Sequence, residues 1–268
     1  MSDAPDRRAD DVERVALFVT CVGEVVEPDV PIAAVRVLRA AGCTVDVPEG
    51  QTCCGQPAWN SGFTAEAAKV AGASLDALEH AVADGAEAVV VPAGSCATMV
   101  RVYWPQLFAL AGDDAASDRA RSLGTRVWEL TELLDALPAE RLPLGRVEPC
   151  AAVYHRSCHM LRELHVAEQP EALLGRVGGC EVAAWAAADQ CCGFGGTFSV
   201  KLPEASLAMA DEKLDVLPEG TEVIVGADAS CLMQLRTRAE SRGMPVRTEH
   251  VAQVLERALT ARDGGAGS

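Results

Sequence analysis

The sequence predicts an α/β protein built from two tandem, homologous domains. Short apolar, β-branched runs alternate with amphipathic helical segments along the chain, which is the pattern of a parallel sheet covered by helices. Ten of the eleven cysteines also repeat at a spacing of 135 to 138 residues, so that Cys21 corresponds to Cys158 and Cys96 to Cys231. We therefore expect two Rossmann-like domains, each a mostly parallel sheet of about four strands with helices on both faces.

The first copy alternates strands and helices in order. Its buried strands are predicted at residues 15–20, 44–47, 88–91 and 127–130. Pro31 suits the first turn of a helix that Gly42 ends, and Thr64 can cap the long alanine-rich helix after the second strand. Cys96 opens the next helix, and residues 112–124 form an insertion without a counterpart in the second copy.

The second copy follows the same order. Its strands are predicted near residues 152–154, 181–184, 222–225 and 246–248, and its helices begin near Pro170, Pro203, Ser230 and Val251. Three prolines and mixed charge mark residues 137–149 as a linker. The predicted domains are accordingly residues 12–138 and 150–260.

Four cysteines of each copy follow the ends of predicted strands. Because ligands bind parallel α/β sheets beyond the carboxyl ends of the strands, three successive loops should bring each set of four thiols to one place. The two sets are Cys21, Cys53, Cys54 and Cys96, and Cys158, Cys191, Cys192 and Cys231. Clustered cysteines without a secretion signal favour metal or redox chemistry over disulfides. Cys43 and Cys180 precede a strand and are predicted to fill the core, and Cys150 has no counterpart.

Adjacent cysteines followed by glycine occur in both copies. Neighbouring side chains diverge from a turning backbone, so a cluster of several metals can use both sulfurs more easily than a single ion can. Gly193, Gly195 and Gly196 permit positive φ and close approach of N–H groups to an anionic ligand. Such donors help set the potential of an iron–sulfur cluster. The first copy has Gln56-Pro57 at this place and offers fewer donors.

Composition excludes several classes of partner. A formal charge of −16 and a pI of about 4.7 disfavour binding to nucleic acid or to anionic lipid. The N-terminal residues are polar and show no signal peptide, and the longest apolar run, residues 182–188, is too short to span a membrane. These features predict a cytoplasmic protein.

Several motifs together resemble a known family: residues 48–57, 94–97, 157–159, 191–196, 226–228 and 231–233. They resemble the cysteine-rich CCG domain, which is found in pairs in heterodisulfide reductase and in the iron–sulfur subunit of glycolate oxidase. The stand-alone, two-copy form is similar to the lactate-utilisation protein A family. The resemblance extends from about residue 15 to residue 259.

The resemblance implies an iron–sulfur electron-transfer subunit of a complex that oxidises L-lactate to pyruvate. It also implies two partners, a ferredoxin-type iron–sulfur protein and a third small subunit. The chain has no Gly-x-Gly-x-x-Gly fingerprint for a nucleotide cofactor, so electrons should pass to or from partners.

One element of the family motif differs here. The motif ends in Cys-x-x-Cys, whose first cysteine is replaced by Ala93 in one copy and Asp228 in the other. Four thiolates remain per site, enough for a [4Fe–4S] cluster, and one or two such clusters are expected. Asp228 is predicted to cap the following helix or to hydrogen-bond beside the cluster. His155 and His159 flank Cys158 and are candidates for a proton-coupled role.

Two other classes of protein remain open. Zinc could make this a structural or interaction protein, although structural zinc sites favour Cys-x₂₋₄-Cys pairs over adjacent cysteines. The vicinal cysteines could instead serve a thiol–disulfide oxidoreductase, although the Cys-x-x-Cys motif of such enzymes is missing.

Overall fold

Two four-stranded parallel sheets organise the chain, which the computed structural model describes over residues 9–263. The first sheet has the order β2-β1-β3-β4, and the second repeats it as β6-β5-β7-β8. The strands are β1 (Arg14–Leu17), β2 (Thr44–Asp46), β3 (Ala88–Val91), β4 (Val127–Glu129), β5 (Arg146–His155), β6 (Gly178–Ala183), β7 (Val223–Gly226) and β8 (Arg247–His250). The α/β class and the tandem duplication predicted from the sequence are therefore confirmed.

Helices follow the strands in both domains. The first domain contains α1 (Cys21–Val25), α2 (Asp29–Ala40), α3 (Gln56–Trp59), α4 (Thr64–Ala83), α5 (Gly94–Thr98), α6 (Trp104–Leu110), α7 (Asp114–Gly124) and α8 (Leu130–Ala136). The second contains α9 (Gln169–Gly175), α10 (Thr197–Lys201), α11 (Pro203–Asp215), α12 (Ala229–Ser241) and α13 (Val251–Asp263). A π-helical turn follows α5 at Met99–Tyr103, and another lies at Met160–Leu164. All four residues of β3 are buried, as expected for an inner strand covered on both faces.

The structure differs from the sequence predictions at three places. Thr64 is the first residue of α4 and does not cap it. The Phe63 amide donates a hydrogen bond to the Ala58 carbonyl, and this turn places Phe63 in the capping position. The insertion at residues 112–124 forms α7, which Asp113 caps and whose apolar side is buried. Strand β5 begins at Arg146, within the stretch predicted as a linker.

The two domains pack about an internal pseudo-two-fold relationship. Helix α2 packs against α13, and α8 packs against α9. Helices α2 and α9 occupy equivalent positions in the two copies, and so do α8 and α13. A two-fold rotation that superimposes one domain on the other therefore turns the α2–α13 contact into the α9–α8 contact. One continuous apolar core runs through the interface and includes Leu38, Leu134, Leu173 and Leu255. The domains are therefore held together by hydrophobic burial, as in a permanent interface.

Among the helices described in residues 9–263, none has both the length and the apolar character that crossing a bilayer requires.

Candidate metal centre

All eight cysteines of the two predicted sets line a single cavity between the domains. The cavity has a volume of about 180 Å³. Its cysteines are Cys21, Cys53, Cys54 and Cys96 from the first domain, and Cys158, Cys191, Cys192 and Cys231 from the second. The carboxyl ends of both sheets thus face one space.

In the first domain the four thiols form a connected group. The Sγ atoms of Cys21 and Cys53 are 3.4 Å apart, and those of Cys54 and Cys96 are also 3.4 Å apart. Cys21 begins α1 after β1, and Cys96 lies in the first turn of α5. Three loops bring these sulfurs together, as the sequence predicted.

The second domain repeats this arrangement. The thiol of Cys158 is hydrogen-bonded to Cys191, and that of Cys192 to Cys231. Cys192 and Cys231 are buried, with 3% and 8% of their surface exposed. The cavity lining does not include the other cysteines among the described residues. Cys43 and Cys180 are buried in the core, and Cys150 pairs with Cys180 in the register of β5 and β6.

The glycine of each Cys-Cys-Gly motif performs two tasks. The amide of Gly55 donates to Cys53 Sγ at 3.5 Å, and that of Gly193 donates to Cys191 Sγ at 3.4 Å. Both have a left-handed backbone, with φ of 86° and 85°. A Cβ on Gly55 would lie 2.8 Å from the Ala67 carbonyl oxygen in α4, and one on Gly193 would lie 2.3 Å from the Ser206 carbonyl oxygen in α11. Close packing and backbone angle therefore both require glycine here.

The glycine loop of the second domain also contacts the first. Gly195 and Gly196 have φ of 54° and 61°, and both line the cavity. Beside them, the hydroxyl oxygens of Thr197 and Ser61 are 2.6 Å apart. In the first domain α3 begins directly at Gln56, so the two loops differ as predicted.

One sulfur in each set is held as a thiolate by its neighbours. The thiols of Cys158 and Cys192 donate to Cys191 and, with the Gly193 amide, lower the pKa of Cys191 to about 2. Equivalent hydrogen bonds from Cys21 and Cys54 lower the pKa of Cys53 to about 3. Thiolate is the form of cysteine that binds metal, so each site contains a sulfur prepared for that purpose.

Asp228 caps a helix and also reaches across the domain interface. Its Oδ1 accepts hydrogen bonds from the amide and hydroxyl of Ser230, and its Oδ2 accepts one from the amide of Ser95 at 2.8 Å. The side chain is buried beside the cavity. All three donors fix the carboxylate at the first turns of α5 and α12.

The two histidines beside Cys158 occupy different environments. His159 lines the cavity, with its Nδ1 3.7 Å from Cys158 Sγ and its Nε2 3.3 Å from Gln56 Nε2. His155 is buried at the end of β5, and burial lowers its pKa to about 3, so the ring is neutral near pH 7. The Ala188 carbonyl partly opposes that fall, although within residues 9–263 neither ring nitrogen makes a hydrogen bond of normal geometry.

Lys213 lies close enough to the second set of cysteines to interact with their charges, although the sequence pattern does not indicate it. Its side chain is fully buried, and its Nζ donates to the carbonyls of Ala187 and Ala188 and lies 4.0 Å from the centroid of the Trp185 ring. Burial lowers its pKa to about 8, against the charges of Cys192 and Cys231, which raise it. A lysine within a helical pattern is ordinarily solvated, so only the tertiary structure reveals this one.

Paired α/β domains with thiol clusters at the ends of their strands define a tandem cysteine-rich protein suited to binding metal or an iron–sulfur cluster. The model of the family described as "CCG: Cysteine-rich domain" matches residues 15–101 and 152–236, one match in each domain.

Proteins named "Lactate utilization protein A" are similar over nearly the whole chain. The one from Exiguobacterium is 45% identical over 90% of this chain and 96% of its own length. That from Anoxybacillus flavithermus is 43% identical over 90% and 98%. The chain belongs to the lactate utilization protein A family. Among solved structures, a glutamate racemase from Thermus thermophilus matches with 12% identity and a TM-score of 0.33, covering 95% of this chain and 81% of that one, a likeness too low to inform function.

Proposed function

We propose that this chain is an iron–sulfur electron-transfer subunit of a complex that oxidises L-lactate to pyruvate. The observation that carries the proposal is the opening of two equivalent four-cysteine sets onto one cavity. The name of the relatives supports a role in lactate utilisation.

Each domain would hold one cluster through its four cysteines, and four thiolates suit the [4Fe–4S] type. Such a cluster, when bound, supplies one-electron redox chemistry. The chain's own groups support an anionic ligand there. The amides of Gly55 and Gly193 already donate to sulfur, and Lys213 places a buried positive charge behind the second set. Gly195, Gly196 and Asp228 line the same space, where they shape the wall of the second site.

Because the two sets of sulfurs line one cavity, the arrangement favours electron transfer between the two centres. His159 lines the cavity in contact with Cys158 and is suited to move a proton when the charge of the centre changes. We further propose that electrons are exchanged with a ferredoxin-type iron–sulfur protein and a third small subunit, and that the complex is cytoplasmic.

Anaerobic purification tests the cofactor directly. Iron, acid-labile sulfide and zinc are quantified, and the reduced protein is examined by electron paramagnetic resonance. We expect iron and sulfide, with the bound iron roughly halved in Cys54→Ser and in Cys192→Ser. Cys150→Ser is the matched control, because Cys150 lies outside the cavity lining, and it should retain the iron of the unmodified protein.

Other results would select the alternative classes. Stoichiometric zinc without sulfide would identify a zinc protein. Thiol-dependent turnover without metal would identify a thiol–disulfide oxidoreductase, for which the stabilised thiolates of Cys53 and Cys191 would be the nucleophiles. The link to lactate is tested separately: cells lacking this chain should fail to grow on L-lactate, and Cys192→Ser should not restore growth.

A further inference from the structure

His155 lies against two sulfurs of the second site. One of its ring nitrogens and the Sγ atoms of Cys192 and Cys231 all lie within 4.8 Å of one another. All three residues are buried, and only 1% of the His155 surface is exposed. His155 is the last residue of β5 and is not among the residues that line the cavity, whereas Cys192 and Cys231 are.

The imidazole has a strong hydrogen-bonding capacity that the protein leaves unused. In the described part of the chain, neither Nδ1 nor Nε2 makes a hydrogen bond of normal geometry, and the Ala188 carbonyl is the group that comes nearest to doing so. Buried polar groups are nearly always paired, so an unpaired imidazole beside two metal-binding sulfurs indicates a partner that is not a protein group. Imidazole nitrogen and thiolate sulfur are both ligands of iron.

The equivalent position of the first domain carries a phenylalanine. Phe18, three residues before Cys21, holds the place that His155 holds before Cys158. Its ring packs edge-on against Trp104, with the centroids 6.5 Å apart. The two sites therefore differ in their surroundings: His155 lies beside two sulfurs of the second domain, and Phe18 takes its place in the first.

Asp228 is poorly placed to be the additional ligand. Its carboxylate already accepts hydrogen bonds from the Ser230 amide, the Ser230 hydroxyl and the Ser95 amide. A carboxylate is also a poorer match than imidazole for a thiolate-bound iron. Among the described histidine, aspartate and glutamate side chains, His155 is the one whose ligand atom groups with Cys192 Sγ and Cys231 Sγ within 4.8 Å.

We propose that His155 is a nitrogen ligand to the metal centre of the second domain, alongside its cysteines. The proposal rests on the proposed iron–sulfur function. An additional nitrogen donor would give the centre of the second domain a ligand set different from that of the first. We therefore expect the two centres to differ in reduction potential.

Nitrogen hyperfine spectroscopy tests the ligation. The protein is labelled with ¹⁵N-histidine, purified anaerobically and reduced, and pulsed paramagnetic resonance is recorded on the signal that Cys192→Ser abolishes. We expect a ¹⁵N coupling of the size produced by direct coordination. His155→Phe, which copies Phe18, should lose that coupling and shift the midpoint potential of the second centre. His159→Phe should retain the coupling, because that ring contacts Cys158 from the cavity.

The outcomes separate the two proposals. Two results would overturn the ligation and leave the iron–sulfur function standing, provided that the second centre is loaded. One is a ¹⁵N coupling as weak as that of a hydrogen-bonded nitrogen, and the other is a coupling that is lost in His159→Phe and not in His155→Phe. Absence of iron and sulfide overturns both. If His155→Phe fails to fold, as judged by circular dichroism, the size of the coupling in the unmodified protein and its loss in His155→Asn decide the question.

Discussion

The carboxylate of Asp228 in one domain accepts a hydrogen bond from the backbone amide of Ser95 in the other, at 2.8 Å. The same side chain caps α12, so one residue serves the first turns of two helices that carry Cys96 and Cys231. A further hydrogen bond, from the Gly94 amide to the Ala227 carbonyl at 3.2 Å, lies beside it. The two cysteine sites are therefore positioned relative to each other by short polar contacts as well as by the apolar core.

Removing this carboxylate should destabilise the protein more than removing an ordinary helix cap. Asp228→Ala loses the cap and leaves the partly buried Ser95 amide without this acceptor, which together cost about 2–4 kcal/mol. Asp113→Ala is the matched control, because Asp113 caps α7 with a single bond to the Ala116 amide, and it should cost about 1 kcal/mol. Urea denaturation of both variants measures the difference, and equal losses would show that the contact across the interface contributes nothing.

Replacing Lys213 should change the second centre and spare the first. Ser74 is the equivalent residue of the first domain. It lies seven residues after Ala67, whose carbonyl packs on Gly55, just as Lys213 lies seven residues after Ser206, whose carbonyl packs on Gly193. Lys213→Ser removes a positive charge worth on the order of 1–2 kcal/mol to an anionic centre, so its midpoint potential should fall by roughly 50–100 mV.

A redox titration followed by paramagnetic resonance measures this shift. Lys213→Arg keeps the charge and is the control, so its potential should stay closer to that of the unmodified protein. A potential that moves equally in both variants would attribute the effect to packing around Trp185 and not to charge.

Substituting alanine for the glycine of either Cys-Cys-Gly motif should lower stability by more than the left-handed backbone angle alone would. Gly220 has a φ of 79°, and within the described chain no atom lies within 4 Å of where its Cβ would be, so Gly220→Ala carries only the left-handed penalty of about 1–2 kcal/mol. Gly193→Ala adds a contact of 2.3 Å with the Ser206 carbonyl, and Gly55→Ala one of 2.8 Å with that of Ala67. The expected order of lost stability in urea denaturation is Gly193, then Gly55, then Gly220.

Glu129 should make stability fall as pH rises. It is fully buried at the start of α8, and burial raises its pKa to about 8, although the hydroxyl and amide of Thr131 oppose that rise. An unfolded glutamate has a pKa of about 4.3, so between these values the folded protein holds a proton that the unfolded chain releases. The free energy of unfolding should therefore decrease by at most about 1.4 kcal/mol per pH unit from about pH 4.5 to 8.

Glu129→Gln removes this titration. Urea denaturation of both proteins across that pH range measures it, and the difference between them cancels the contributions of all other groups. The difference should change steadily with pH in the direction that favours the variant at high pH. Parallel curves would mean that Glu129 is ionised in the folded protein.

Local features of the sequence were sufficient to predict the sheets and the cysteine sets. Strand composition and the repeated register placed Cys21 and Cys158 after equivalent strands, and the rule for parallel sheets brought their partners to the same edge. The positive φ of Gly193, Gly195 and Gly196 follows from the same motif.

The meeting of the two sites could not be predicted in this way. It depends on α2 packing against α13 and α8 against α9, which are contacts between distant segments that no local pattern encodes. Burial of Lys213 is a similar case, since its partners are backbone carbonyls that any sequence would supply. The misplaced cap at Thr64 reflects a turn geometry at Phe63 that composition does not reveal.

The pseudo-two-fold packing gives the chain the architecture of a symmetric dimer whose halves have become covalently joined. In such a dimer every substitution appears twice, so both centres must remain alike. Once the halves share one polypeptide, each can change alone, and the pairs Phe18 and His155, and Ser74 and Lys213, are places where they have done so. Joining the halves in one chain thus lets two cysteine sites that face the same cavity differ in their surroundings.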